Sequence, residues 1–298
     1  MERRIGRDQY QSGEELARRS VSESGGASRG GRMKVRVIAL NTFAGFLRNK
    51  LIVLFLAIFL CILLLFMTPL LMMKAMSGQT AGQTESPVLT LVGLLMTMIS
   101  GFGSLLAAWS AADTVADEMK SGTILAVLAR PVRRWEFLLG KYLGVQLLMA
   151  VYVLFMFGFS YLLAWIGGER IQTTPWVLIV YPLVRYAIYG AIAMFLVTMM
   201  HPVMAFGAVL VTAILALMVQ PGLRPPAFLP GPLKAVVYTI LPSTALLSES
   251  RFLTITHASL AKISWDVHAV TLSYGLNYAL ICFLLAVWSF RRRSLSRD

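Results

Sequence analysis

The chain has 298 residues, of which 57% are apolar and 14% charged, where an average soluble domain carries about 25% charged residues. At a mean hydropathy of +0.72, a water-soluble fold of this size cannot hide its apolar surface, which argues against a soluble enzyme or a disordered protein and for an integral membrane protein. The net charge of +13, from 27 Lys and Arg against 14 Asp and Glu, would suggest nucleic-acid binding on a soluble chain; here the placement of the charges matters more, and no nucleic-acid partner is expected.

Residues 1–32 are rich in Arg, Ser, Gly and Glu. That composition predicts a disordered cytosolic tail. Residues 33–50 differ. At helical spacing Val35, Ala39, Phe43, Phe46 and Leu47 share one face, with Lys34, Asn41 and Arg48 opposite. This predicts an amphipathic helix lying in the membrane interface, with Arg36 snorkelling along its alkyl stem.

A membrane-spanning helix needs about 20 apolar residues. Leu51–Met73, Val88–Ala112, Tyr142–Gly168 and Ala269–Phe290 are uncharged runs of 23, 25, 27 and 22 residues. Ile171–Gln220 is longer and divides at His201-Pro202, because proline interrupts a helix and restricts the residue before it. The expected fold is therefore all-α, with six transmembrane helices near 51–73, 88–112, 142–168, 176–200, 202–220 and 269–290. They form one domain over 33–293, followed by a short tail, 294–298. The first run starts about 50 residues in and is too long for a signal-peptide core, so it is expected to be an uncleaved anchor. Cys61 and Cys282 lie inside apolar runs, where a free thiol behaves as a small hydrophobe, and exclude a disulfide framework.

Six spans place both termini on one side. If that side is the cytosol, it holds 20 of the 27 basic residues, and the outer loops hold 6. The remaining one is Arg185, within the fourth span. This asymmetry fits the positive-inside rule and predicts a multi-pass protein of a cell membrane, the bacterial inner membrane by expectation, in contact with lipid.

The loop between the second and third spans carries the most information. Asp113–Lys120 reads as an extension of the second helix beyond the bilayer, which Gly122 can end. A short apolar helix follows, with Ile124, Leu125, Val127 and Leu128, and Arg130-Pro131 stops it. Apolar residues set between charged flanks mark a docking surface. The pattern Glu118-x3-Gly122-Thr123, then Leu128-Ala129-Arg130-Pro131-Val132-x-Arg134, then Glu136-x3-Gly140-Lys141, resembles the permease subunits of type-2 ABC exporters. The stretch ALNTFAGFLRNKLIV resembles that family's interface helix running into its first span. Leu241-Pro242-Ser243, within Tyr238–Leu246, resembles its segment between spans five and six.

The resemblance implies that Glu118, Gly122, Thr123, Ile124, Leu125, Leu128, Arg130, Pro131 and Arg134 form a coupling element seated in a groove of an ATP-hydrolysing subunit. It also implies a second permease subunit, identical or similar, and export of a lipid-linked, amphipathic, peptide or drug-like substrate. Some relatives assist metalloprotein assembly, so transmission of force without conduction stays open. The chain shows no G-x-x-x-x-G-K-[ST] phosphate loop. ATP and its Mg are therefore expected on the partner, with no cofactor and no catalytic residue on this chain. His201, His257 and His268 lack metal-ligand spacing, and the methionines near His201 are what a Met-rich apolar chain gives by chance.

Two polar residues within the spans are candidate pathway groups. Arg185 either lines the pathway and meets an anionic substrate, or is a structural arginine that snorkels outward; a charge at depth costs at least about 2.5 kcal/mol. Asn277 reads first as an interhelical hydrogen bond and second as a substrate ligand. Gly103, Ala107 and Ala111 form a small-residue ridge, repeated by Gly140 and Gly144; the sequence leaves open whether these face the same subunit or another. The Pro-rich stretch from 221 cannot be helical, and Leu233–Leu247 is apolar enough to dip into the outer leaflet. The main rival function is a secondary transporter or channel not coupled to ATP. It would be expected to show charges in several spans. An intramembrane enzyme would need a catalytic pair at depth, which the spans do not offer.

Overall fold

The computed structural model describes residues 35–50, isolated positions between 53 and 72, 87–121, 133–166, 175–218, 241–247 and 265–292. Among these residues every regular element is helical. We label them α1 (35–48), α2 (Pro87–Ser121), α3 (Arg134–Ile166), α4 (Pro175–Val197), α5 (Pro202–Met218) and α6 (Trp265–Arg292), with a short 3-10 turn at Thr244–Leu247. Four of them, α2, α3, α4 and α6, are long and apolar enough to cross a membrane, and α5 is a shorter apolar helix. The first expected span lies largely outside the described residues; its described positions, such as Val53, Leu64 and Met72, are helical.

The helix ends follow local chemistry. Arg133 caps α3: its carbonyl accepts the Phe137 N–H, and its own N–H donates to the Glu136 carboxylate at 3.2 Å. This is the carboxylate half of a capping box. The chain leaves α4 through turns in which Met199 N–H and Met200 N–H both donate to Leu196 O, and it restarts at Pro202. Proline suits that first helical position because its missing N–H would have had no partner there. α6 begins with Asp266 in its first turn and ends with Arg291 and Arg292 in its last, each sign set against the opposite end of the helix dipole.

α4 is the axle of the bundle. It packs against α2, α3, α5 and α6, and 78% of its apolar window is buried. Contacts fix the directions. Gly103 meets Tyr186 and Ala111 meets Gly190, so α2 and α4 run parallel. Tyr181 pairs with His268 and Thr198 with Ser289, so α4 and α6 also run parallel. Tyr152 reaches Ile99 O while Gln146 lies beside Gly190 near Ala111, which sets α3 antiparallel to α2. Alternation of this kind is what successive membrane crossings require.

Both small-residue ridges face elements of the same chain. A Cβ on Gly103 would overlap the Tyr186 ring and approach Tyr152 Cε1 at 2.7 Å. A Cβ on Gly140 would stand 2.7 Å from Ile38 Cγ2, and one on Gly144 would stand 2.7 Å from Thr42 Cβ and 2.9 Å from Ala39 O. Two glycines one turn apart thus form the groove that seats α1. This changes the face expected for α1. Val35, Ile38, Ala39, Thr42, Phe43 and Phe46 turn inward, whereas Leu47 is exposed with Val37, Leu40 and Ala44. Leu47 lies roughly 100° around the helix from Phe46, so it belongs to a second apolar face that points away from the bundle.

Candidate functional site

The sites read from the sequence separate into two regions of the bundle. At one end, α1, the end of α2, the start of α3 and the end of α6 converge. Asn49 Nδ2 donates to Asp113 Oδ2 at 3.3 Å, linking the residue after α1 to α2. Arg134 Nη1 donates to the Arg291 carbonyl at 3.3 Å, linking α3 to α6. α2 has 35 residues and is about 52 Å long, well beyond the roughly 30 Å of hydrocarbon. Its extension through Asp113 to Ser121 carries Glu118. Of the other residues assigned to coupling, Arg134 opens α3. Gly122, Thr123, Ile124, Leu125, Leu128, Arg130 and Pro131 lie outside the described residues. α1 is tied to the helices on both sides of that loop, at Asp113 on α2 and at Gly140 and Gly144 on α3.

The second region lies inside the bundle around Arg185. This residue stands nine positions after Trp176 on α4, or about 13 Å along the axis. It is half-buried, with its Nε enclosed. Tyr189, one turn on, lies within the field of its guanidinium. Pro182 sits inside the same helix, so the Leu178 carbonyl receives no bond from the usual position one turn later. The Tyr189 hydroxyl donates to Thr244 Oγ1 at 3.4 Å. Ser243 N–H donates to Tyr274 Oη at 3.0 Å.

The segment 241–247 is therefore wedged among the helices. A Cβ on Gly275 would stand 3.2 Å from Leu247 Cδ1 and would overlap Val184 Cγ1. Gly275 is ten residues along α6 from Trp265, about 15 Å, which gives the depth to which the segment descends. Leu241, Pro242, Thr244 and Leu247 are all buried. Leu241-Pro242-Ser243 thus reaches the neighbourhood of Arg185, a meeting that no sequence spacing announces.

Asn277 stands apart from this cluster. It is exposed on α6, and its Nδ2 donates to Ser273 O at 2.8 Å, one turn back. The hydrogen bond lies within the helix rather than between helices. The reason is the phase of α6, which turns Gly275, Ala279, Phe283 and Ala286 inward and Asn277 away from them.

Several polar groups escaped the sequence reading. Tyr181 Oη and His268 Nδ1 pair at 2.6 Å beneath Trp176 and Trp265, whose rings stack at 5.4 Å. Tyr142 Oη donates to Ala187 O at 3.0 Å. Ser110 Oγ and Gln146 Nε2 are buried without a hydrogen-bond partner among the described residues. In an apolar run a tyrosine or a glutamine reads as packing or solvation, so only the assembled bundle marks these positions.

The sequence profile described as "ABC-2 family transporter protein" matches residues 36–295. The chain belongs to that family. The match covers α1 and every helix after it, so this permease is a membrane component of an ABC transporter and a multi-pass membrane protein. Curated proteins give no significant match. Among the described residues, no group of His, Cys, Asp or Glu could hold a metal ion.

Proposed function

We propose that this permease is the membrane subunit of an ATP-driven exporter, paired with a second permease subunit and with two separate ATPase subunits that bind ATP and Mg. The bilayer is the bacterial inner membrane, with both termini in the cytosol. The reading is carried by one observation: α1 is joined to α2 at Asp113, where the extension of α2 begins, and to α3 at Gly140 and Gly144, and so links the helices on both sides of the loop 122–132. Closure of the ATPase pair would push the apolar plug Ile124–Leu128. The push would pass into α2 and α3, and α1 would move with them because Gly140 and Gly144 seat it against α3. The outward apolar face of α1, Val37, Leu40 and Leu47, suits a helix lying at the inner membrane surface. In this reading α4 carries the movement to Arg185 and to the segment 241–247, which would close the outer end of the pathway until α4 and α6 shift.

The test is co-purification with a candidate ABC ATPase subunit co-expressed with this permease, comparing wild type with Leu125→Asp/Leu128→Asp. The double variant should insert and stay monodisperse but lose the ATPase. Retention of an active ATPase by the double variant would remove loop 113–141 as the coupling element. If no ATPase associates with wild type, the secondary-transporter reading centred on Arg185 gains.

A further inference from the structure

A pocket of about 350 Å³ opens between the start of α3 and the end of α6, lined by Arg133, Arg134, Trp135 and Arg291. Its size falls within the range of small-ligand sites, roughly 300–1,000 Å³. Three of its four lining residues are arginines, which suits an anion with several acceptor oxygens. The acid nearest in sequence, Glu136, already accepts the Arg133 N–H at the helix start. The Arg134 Nη1 bond to the Arg291 carbonyl ties the two walls together.

The depth of the pocket selects the source of that anion. α6 has 28 residues and spans about 42 Å. That length matches a bilayer with its headgroup layers, about 40–45 Å. With Trp265 in one headgroup layer, Arg291 lies in the other. Trp135 and Trp288 are both exposed, 42% and 51%, where interfacial tryptophans belong. Arg292 lies over the Trp288 ring, 3.9 Å from its centroid, one turn away on the same face of α6. The pocket therefore sits between a rim of exposed tryptophan and the charged end of the bundle. A soluble protein partner would not require that rim; a phospholipid needs both the cations and the apolar flank.

We infer that this pocket binds the phosphate headgroup of an anionic phospholipid of the leaflet facing the basic end. Arg133, Arg134 and Arg291 would hold the phosphate oxygens, with the acyl chains running along the exposed faces of α3 and α6. The bound lipid would bridge the start of α3 to the end of α6.

The test uses the purified full chain in detergent. Dioctanoyl-phosphatidylglycerol, dioctanoyl-phosphatidylcholine and inorganic phosphate are titrated separately, with occupancy read by native mass spectrometry and tryptophan fluorescence. Phosphatidylglycerol should bind at least about tenfold more tightly than phosphatidylcholine. Near a membrane surface each basic residue contributes about fivefold in affinity. Arg133→Gln and Arg291→Gln should therefore each weaken binding about fivefold, and with Arg134→Gln added the loss should be on the order of a hundredfold. The single variants keep the backbone groups that cap α3 and receive Arg134, so they preserve the fold. Arg36→Gln/Arg48→Gln/Lys50→Gln removes equal charge from exposed positions at or just after α1 and should change binding less than about twofold. Equal losses from both triple variants, or equal binding of the two lipids, would overturn the inference. So would displacement of phosphatidylglycerol by equimolar inorganic phosphate. Unchanged lipid binding with loss of a co-purifying ATPase would reassign the three arginines to a protein contact.

Discussion

The two ends of this permease are built on different chemistry. At the end where α1 docks, backbones approach through glycine grooves, and arginines line the surface between α3 and α6. At the other end Trp176, Trp265, Tyr181 and His268 form an aromatic group joined by one short hydrogen bond. Backbone-to-backbone packing tolerates little displacement, because an added side chain must push main chain aside. Rings and hydroxyls slide and re-pair at small cost. The contrast suits the proposed mechanism, in which drive enters at the stiff end and the adaptable end opens.

That contrast breaks most readily at Gly144. Gly144→Leu would drive a side chain into Thr42 and the Ala39 carbonyl, an overpacking cost of about 1–3 kcal/mol or more. We expect α1 to leave α3 and ATP-driven transport to be lost. Cysteine cross-linking between positions 49 and 113, which are in contact in the docked state, with a transport assay, checks both. Efficient cross-linking and normal transport in the leucine variant would show that the groove does not hold α1.

Arg185→Ala tests the interior between the ends. Removing the charge relieves a cost of at least about 2.5 kcal/mol, so membrane-inserted yield should stay equal or rise while transport falls. If yield and transport are both normal, Arg185 has no part in the pathway. Loss of yield would make it a structural residue that holds α4 to its neighbours.

Two smaller effects concern α6. Tyr181→Phe removes the 2.6 Å pairing with His268. Interhelical hydrogen bonds in membranes average about 0.6 kcal/mol, so a loss of that order is expected in detergent unfolding, with transport largely kept. A collapse of transport would show that the aromatic end is as exacting as the glycine end. Asn277→Leu should change stability by less than about 0.5 kcal/mol, since it removes only a bond to its own helix. A large loss of transport without loss of stability would restore Asn277 as a pathway group.

Much of the fold was legible because each span states itself locally. α2, α3, α4 and α6 come from uncharged runs, and the break before Pro202 comes from the chemistry of proline. The candidate sites were legible only in part. Arg185 was visible as a charge in an apolar run, but Thr244, which pairs with Tyr189 one turn beyond it, is 59 residues distant from Arg185 in sequence. Asn277 looked equally conspicuous in the sequence and proved to face outward, because one polar residue does not fix the phase of a mostly apolar helix.

The sequence by itself determined the class of protein, the all-helical character of the described residues, the direction of the charge asymmetry and the family. These follow from composition, run length and short motifs, all of them local quantities. Tertiary structure decided which residues meet: that Gly140 and Gly144 receive α1 rather than a second subunit, that Leu47 faces away, that 241–247 descends towards Arg185, and that three arginines from two helices line one cavity. In a chain that is apolar on nearly every helix face, periodicity carries little phase information. Helix rotation is then set by where small residues let backbones touch, and that depends on the shape of the partner surface rather than on either sequence alone.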